Sequence, residues 1–191
     1  FWGKLDSGVD ATMGLAASAR PFFTAARFAR TPQPTLVIVA GEESAADFAR
    51  TLSAYVGDNR VLRFFERKDY PTASTPVDVH AVACRLQALH ALVESRECIV
   101  VASSRALMRL MGPVRSRFYL PLTFTAGMDV QSGSGERTLA SFEAVTEELV
   151  ACGYLNTGEL SGPGTFCAGG GTIDVWPGNL SYPVRIDFFG D

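Results

Sequence analysis

Residues 172–189 alternate with a period of two, and no other stretch limits the fold so tightly. Ile173 and Val175 fall on one face, with Thr172, Asp174 and Trp176 on the other. After a turn of Pro177, Gly178 and Asn179 the pattern resumes. Val184, Ile186 and Phe188 share one side, and Arg185, Asp187 and Phe189 share the other. Such alternation, bounded by glycine, proline and asparagine, is the signature of half-buried antiparallel strands. The informative residues are the aromatics on the polar side. Trp176 and Phe189 lie there, and Phe189 follows Arg185 by four, an even spacing, so those two side chains point the same way. Large aromatics beside an arginine on a solvent-facing sheet make a protein-binding patch. The alternative is that each aromatic packs under a loop, and alternation alone leaves both open.

Toward the N-terminus the period changes. Residues 22–30 read as a helix with Pro21 in its first turn, stopped by Pro32 and Pro34. Residues 36–40 are a continuous apolar run, as expected of a strand covered on both faces of a parallel sheet. A helix over 44–56 follows, with Ala45, Phe48, Ala49 and Leu52 as its stripe. Next come a strand over 61–65, a loop containing Tyr70-Pro71 and Thr75-Pro76, and a helix over 79–94 with Val82, Leu86, Leu89 and Val93 inward. A strand over 99–103 and a short helix over 105–111 end at Gly112-Pro113. Strands alternating with helices give a parallel α/β sheet with right-handed crossovers.

Past Pro113 the pattern becomes α+β. Residues 118–125 read as a strand, 127–135 as a Gly- and Ser-rich loop, and 138–152 as a helix. That helix turns Phe142, Val145 and Leu149 inward and stops at Gly153. The expected fold class is therefore α/β, in two parts. A parallel-sheet domain spans residues 1–117, and a small α+β domain with an antiparallel sheet spans 118–191, with the boundary near Arg117.

Composition excludes several classes. A chain of 191 residues, 47% of them hydrophobic, can build one or two cores and is too apolar for disorder. Its formal charge of −3 argues against a dedicated nucleic-acid binder. Cys84, Cys98, Cys152 and Cys167 form no CxxC and have no ligand-like spacing to His80 or His90, so reduced thiols in a cytoplasmic protein are expected, with no metal site. No apolar run reaches the roughly 18 residues of a membrane span, and no signal peptide is recognisable. The chain begins abruptly and ends on an unfinished strand, as a fragment of a longer protein would.

One stretch invites a nucleotide. Gly14 to Pro21 occupies the place of a P-loop, between a short strand and a helix. A P-loop needs glycine where backbone N–H groups approach phosphate, a lysine for the outer phosphates and a Ser/Thr for Mg²⁺. Here Ala19, Arg20 and Pro21 stand at those three positions. The segment reads as a retired P-loop or as an ordinary strand-to-helix turn, with no cofactor expected. Gly162, Gly164 and the triple glycine 169–171 do not make GxGxxG, and they suit bulges and turns. Ser103 and Ser104 have no His–Asp pair that sequence can assign, which disfavours a hydrolase.

Gly153-Tyr154, Gly164-x-Phe166, Gly170-Gly171-x-x-Asp174-Val175-x-Pro177 and Pro183-x-Arg185-Ile186-x-Phe188-Phe189-Gly190-Asp191 together resemble a known module. It is shared by the excision-repair helicase UvrB and the N-terminal part of bacterial transcription-repair coupling factors. The similarity runs from about Gly14 to Asp191, but only the final module is close. It departs at Gly169, where the family has arginine, and at Thr165, where it has an acidic residue. The short loop between Tyr70 and Val79 lacks the long DNA-clamping hairpin of UvrB and so favours the coupling factor. The resemblance implies a degenerate helicase-like first domain without ATPase activity, followed by an adaptor that recruits UvrA. Arg185, Phe189 and the position of Gly169 would be its contacts, with Trp176 beside them. It further implies that the full-length protein meets RNA polymerase and DNA, and uses ATP and Mg²⁺, through parts not in this chain. The rival readings are a true UvrB-type ATPase and a small-molecule-binding α/β enzyme.

Overall fold

The computed structural model describes residues 10–68, 77–108, 111, 113, 121–124, 130–131, 138–139 and 141–188. The first lobe is built from α1 (Ala19–Arg30), β1 (Thr35–Val39), α2 (Glu42–Val56), β2 (Val61–Phe64), α3 (Val79–Val93), β3 (Ile99–Ser103) and α4 (Ser104–Leu107). The sheet is parallel, in the order β1-β3-β2, with Thr35 and Val61 both in register with Ile99. The mixed α/β class expected from the sequence is borne out.

The two faces of this sheet are covered differently. Ala25, Phe28, Ala45, Ala49 and Leu52, from α1 and α2, close over Ile99 and Val101. Ala88 and Ala91 of α3 close over Phe64, Val100 and Ala102. Only the central strand β3 is buried along its whole length. The apolar run of β1 is not covered on both faces, because β1 is an edge strand. Val37 and Val39 pack inward, while Leu36 and Ile38, in register with Val100 and Ala102 on the α3 face, are exposed.

The stripe of α3 is rotated from the expected one. Ala81, Arg85, Ala88 and Ala91 are its buried residues, and Leu86 and Val93 are exposed. Alanines let the helix lie close to the sheet, and the gap is filled by Arg85. Its guanidinium sits 3.9 Å from the Phe64 ring centroid and donates to the carbonyls of Phe65 and Ala106 at 2.6 and 3.2 Å. A buried arginine held by two carbonyls is not legible from periodicity, which counts it as polar.

The second lobe comprises β4 (Val130–Gln131), β5 (Thr138–Leu139), α5 (Phe142–Ala151), β6 (Leu155–Asn156), β7 (Thr165–Gly169), β8 (Thr172–Val175) and β9 (Val184–Asp187). The helix expected over 138–152 starts later. Ser141 accepts from the Ala144 N–H at 3.2 Å and caps it, while Thr138 and Leu139 pair with β4, which begins inside the segment expected to be a loop. Gly153 has φ +90 and ends the helix, as its position suggests. Residues 121–124 form an isolated bridge at Thr123 and no strand, yet Leu122 and Phe124 still pack on the core. The boundary near Arg117 lies outside the described residues, as does the loop around Tyr70.

The four-stranded sheet runs β6-β7-β8-β9, parallel at β6–β7 and antiparallel elsewhere. It is therefore mixed at one edge. Phe166, Ile173 and Val175 turn toward Val145 and Leu149 of α5 and form the core. Gly170 and Gly171 make the β7–β8 hairpin at φ +62 and +79, a two-residue turn that glycine accepts without strain. The lobes meet at the first turn of α3, where the His80 Nδ1 lies 3.0 Å from the Gly178 carbonyl.

Candidate functional site: the outer face of the four-stranded sheet

Register fixes which side chains share the face away from α5. Cys167, Asp174 and Arg185 form one cross-strand row, and Gly169, Thr172 and Asp187 the next. Because the side-chain period of a strand is two, all six positions belong to the same side. Arg185 stands on the edge strand and is 63% exposed. Its Nε donates to Asp174 Oδ1 at 2.6 Å and its Nη2 to Oδ2 at 2.8 Å, a bidentate pair. Those bonds hold the Asp174 carboxyl below its ordinary value, and the same bonds raise the guanidinium above its own. Asp187 adds a second carboxylate beside the arginine.

Trp176 continues the face just past β8. It is half-buried, and its indole N–H donates to the Leu180 carbonyl at 3.2 Å, so part of the ring packs under the 177–180 turn. Gly169 is exposed, and among the described residues beyond its chain neighbours a Cβ built there meets nothing within 4 Å. Phe189 lies outside the described residues. The face thus brings Arg185, Gly169 and Trp176 to one side of the sheet. It also brings in Asp174, which pattern reading gives only as a polar-face residue. That pairing depends on how the 176–183 connection sets the register of β9.

The segment from Gly14 to Pro21, read from the sequence as a retired P-loop or an ordinary turn, leads into α1 through a turn. No strand precedes α1 among residues 10–18. The Ala19 N–H bonds the Ala16 carbonyl at 3.0 Å and the Arg20 N–H bonds that of Ala17 at 3.3 Å. These amides, which a P-loop would aim at phosphate, are used inside a turn. Pro21 has no N–H and is buried.

A polar cluster does sit at the carboxyl ends of the parallel strands, where α/β enzymes bind ligands. Glu42 Oε1 accepts from the Ser103 hydroxyl at 2.5 Å and from the Glu66 N–H at 3.1 Å, and Oε2 pairs with Arg63 at 3.0 Å. Ser103 is fully buried and also caps α4 by accepting from the Ala106 N–H at 3.2 Å. The carboxylate is satisfied three times over by its own fold, which makes the cluster a brace between α2, β2 and β3. The four cysteines are unpaired by disulfides, and burial pushes the Cys84 and Cys98 thiols up. Raised thiols are poor nucleophiles. Among the described residues, no group of His, Cys, Asp or Glu could hold a metal, and no helix is long and apolar enough to cross a membrane.

Comparison with known proteins falls on this lobe first. Residues 136–191 match the family model described as the UvrB interaction domain. The chain is 27% identical to a transcription-repair-coupling factor of Bacillus subtilis over 92% of its length, and 30% identical to one of Myxococcus xanthus over 94%. It is 28% identical to UvrABC system protein B of Thermotoga neapolitana, again over 94%. The chain spans only 14%, 15% and 27% of those three proteins, respectively. The resemblance read from the final module is borne out, and it extends over nearly the whole chain.

Proposed function

We propose that this chain, which carries a UvrB interaction domain in residues 136–191, is the UvrA-recruiting adaptor region of a transcription-repair coupling factor and has no ATPase activity of its own. The observation that carries the reading is the outer face of the β6–β9 sheet. Arg185 is displayed there on an edge strand, already oriented by Asp174, within the matched segment. An oriented guanidinium loses less freedom on docking than a mobile one, which is how an arginine becomes an anchor. Relatives of both kinds match this chain about equally, so the preference for a coupling factor over a UvrB-type ATPase rests on the first lobe. Its would-be phosphate amides are tied into a turn, and Arg20 and Pro21 replace the groups that bind phosphate and Mg²⁺. In a protein of this kind, RNA polymerase, DNA, ATP and Mg²⁺ would be handled elsewhere, and the chain would act in the cytoplasm.

Titration of the chain with purified UvrA tests the reading. Saturable binding that Arg185→Ala weakens is expected. Absence of binding would overturn the adaptor reading, and binding that Arg185→Ala leaves intact would place the contact surface elsewhere.

A further inference from the structure

We infer that the first turn of α3 buttresses the 176–180 turn and so fixes Trp176 on the outer face, making His80 of the first lobe a positioning residue for the second. The contact is small and close. A Cβ at Gly178 would lie 2.8 Å from the Val79 carbonyl oxygen, 2.9 Å from Val79 Cγ1 and 3.0 Å from Ala83 Cβ. Gly178 is not in the left-handed region, so glycine is required there by space and not by backbone conformation. Gly164, at φ +84, is pressed against the same residue, and a Cβ added there would come within 2.9 Å of Val79 Cγ1. Two glycines of the second lobe thus admit one valine of the first.

His80 supplies the polar half of the contact. A carbonyl only accepts, so at 3.0 Å from the Gly178 oxygen the His80 Nδ1 must carry the proton. Nε2 is then left as the acceptor 3.5 Å from the Cys84 thiol, and the ring edge packs on Phe65 with centroids 5.7 Å apart. The imidazole is held from two sides within its own lobe and reaches across with its third contact.

The turn it holds also anchors Trp176. The Leu180 N–H bonds the Pro177 carbonyl at 3.2 Å, and the Leu180 carbonyl receives the indole N–H at 3.2 Å. The Trp176 backbone is tied to the sheet through Thr165 and Gly164 at 3.0 and 2.7 Å. Backbone position is therefore set by the second lobe alone. Indole position depends on Leu180, and through it on Gly178 and His80.

The test uses the full chain carrying Trp2→Phe, so that Trp176 is the remaining tryptophan of the two in the sequence. His80→Ala should make the Leu180 amide exchange roughly fivefold faster, the worth of about one net hydrogen bond. Trp176 emission should move to the red. His80→Asn, which keeps a side-chain N–H near the Nδ1 position, should restore both. Gly178→Ala should reproduce the loosening by steric pressure, and Asn179→Ala, on the exposed tip of the same turn, should not. Unchanged exchange and emission in His80→Ala would overturn the buttress, as would failure of His80→Asn to restore them. UvrA titration of the same variants rests on the function proposed above and is read separately. If the turn loosens and UvrA affinity holds, the buttress stands and Trp176 is not part of the partner face.

Discussion

Arg185 reaches across the sheet from β9 to Asp174 on β8 and holds both carboxylate oxygens, at 2.6 and 2.8 Å. This pair uses the Nε and Nη2 side of the guanidinium and leaves Nη1 out of the bidentate contact. Neither residue belongs to the α5 core, so presentation and stability are separable. Arg185→Ala should weaken UvrA binding roughly thirtyfold, as loss of an arginine anchor does. The melting temperature should barely move. Isothermal calorimetry beside a thermal melt distinguishes this from a folding defect, which would lower both.

The same pair sets a pH dependence. The folded Asp174 carboxyl titrates below its ordinary value of 3.8, so its share of stability is present above that value. It is lost as pH falls through the depressed folded value. The effect is small because water screens exposed pairs. A carboxyl NMR titration should place Asp174 below 3.8, and Arg185→Ala should return it toward that value. A midpoint unaffected by Arg185→Ala would mean the bidentate bond is not formed in solution.

Much of this is legible in the sequence, and what is not has physical causes. Period-two alternation puts Arg185 and Trp176 on the polar side of the sheet correctly, because one residue of slip would bury the charge. The stripe of α2 is equally readable from Ala45, Ala49 and Leu52. Burial of β1 is not, since an apolar run reports hydrophobicity and not sheet position, and Leu36 and Ile38 are exposed at an edge. Arg85 hides in α3 because its partners are backbone carbonyls, which leave no trace in composition. Asp174 is readable as a polar position, but finding its partner requires the β8–β9 register.

The brace at Glu42 predicts a stability effect without a catalytic one. Ser103→Ala removes the cap of α4 and one donor to the Glu42 carboxylate. A loss of about 1–2 kcal/mol is expected. Chemical denaturation would measure it. A serine-directed fluorophosphonate should not label the wild type at Ser103, which is fully buried and gives its hydroxyl proton to Glu42 and not to a histidine base.

The proposed lack of nucleotide binding is tested just as directly. The Ala19 and Arg20 amides would have to leave their turn before a phosphate could use them. Calorimetry with Mg-ATP should give no heat of binding at micromolar protein. Micromolar affinity would favour the UvrB-type ATPase instead.

Gly169 offers the opposite experiment, a gain. It lies on the outer face at the end of β7, exposed, and among the described residues beyond its chain neighbours none comes within 4 Å of a Cβ built on it. Its backbone is not left-handed, unlike its neighbours Gly170 and Gly171, so a side chain there is unstrained. Across the sheet it opposes Thr172, and Thr172 opposes Asp187. Two strand spacings are about 10 Å, which an arginine side chain can nearly span. Gly169→Arg should therefore find Asp187 as a counter-charge and stand beside Arg185 as a second cation. Replacing a strand glycine should also firm the backbone by about 0.5–1 kcal/mol. Tighter UvrA binding at low salt is expected, with the advantage shrinking as salt screens the added charge. If Gly169→Arg raises the melting temperature but weakens UvrA binding, this corner of the face is a close-approach surface that needs its glycine bare.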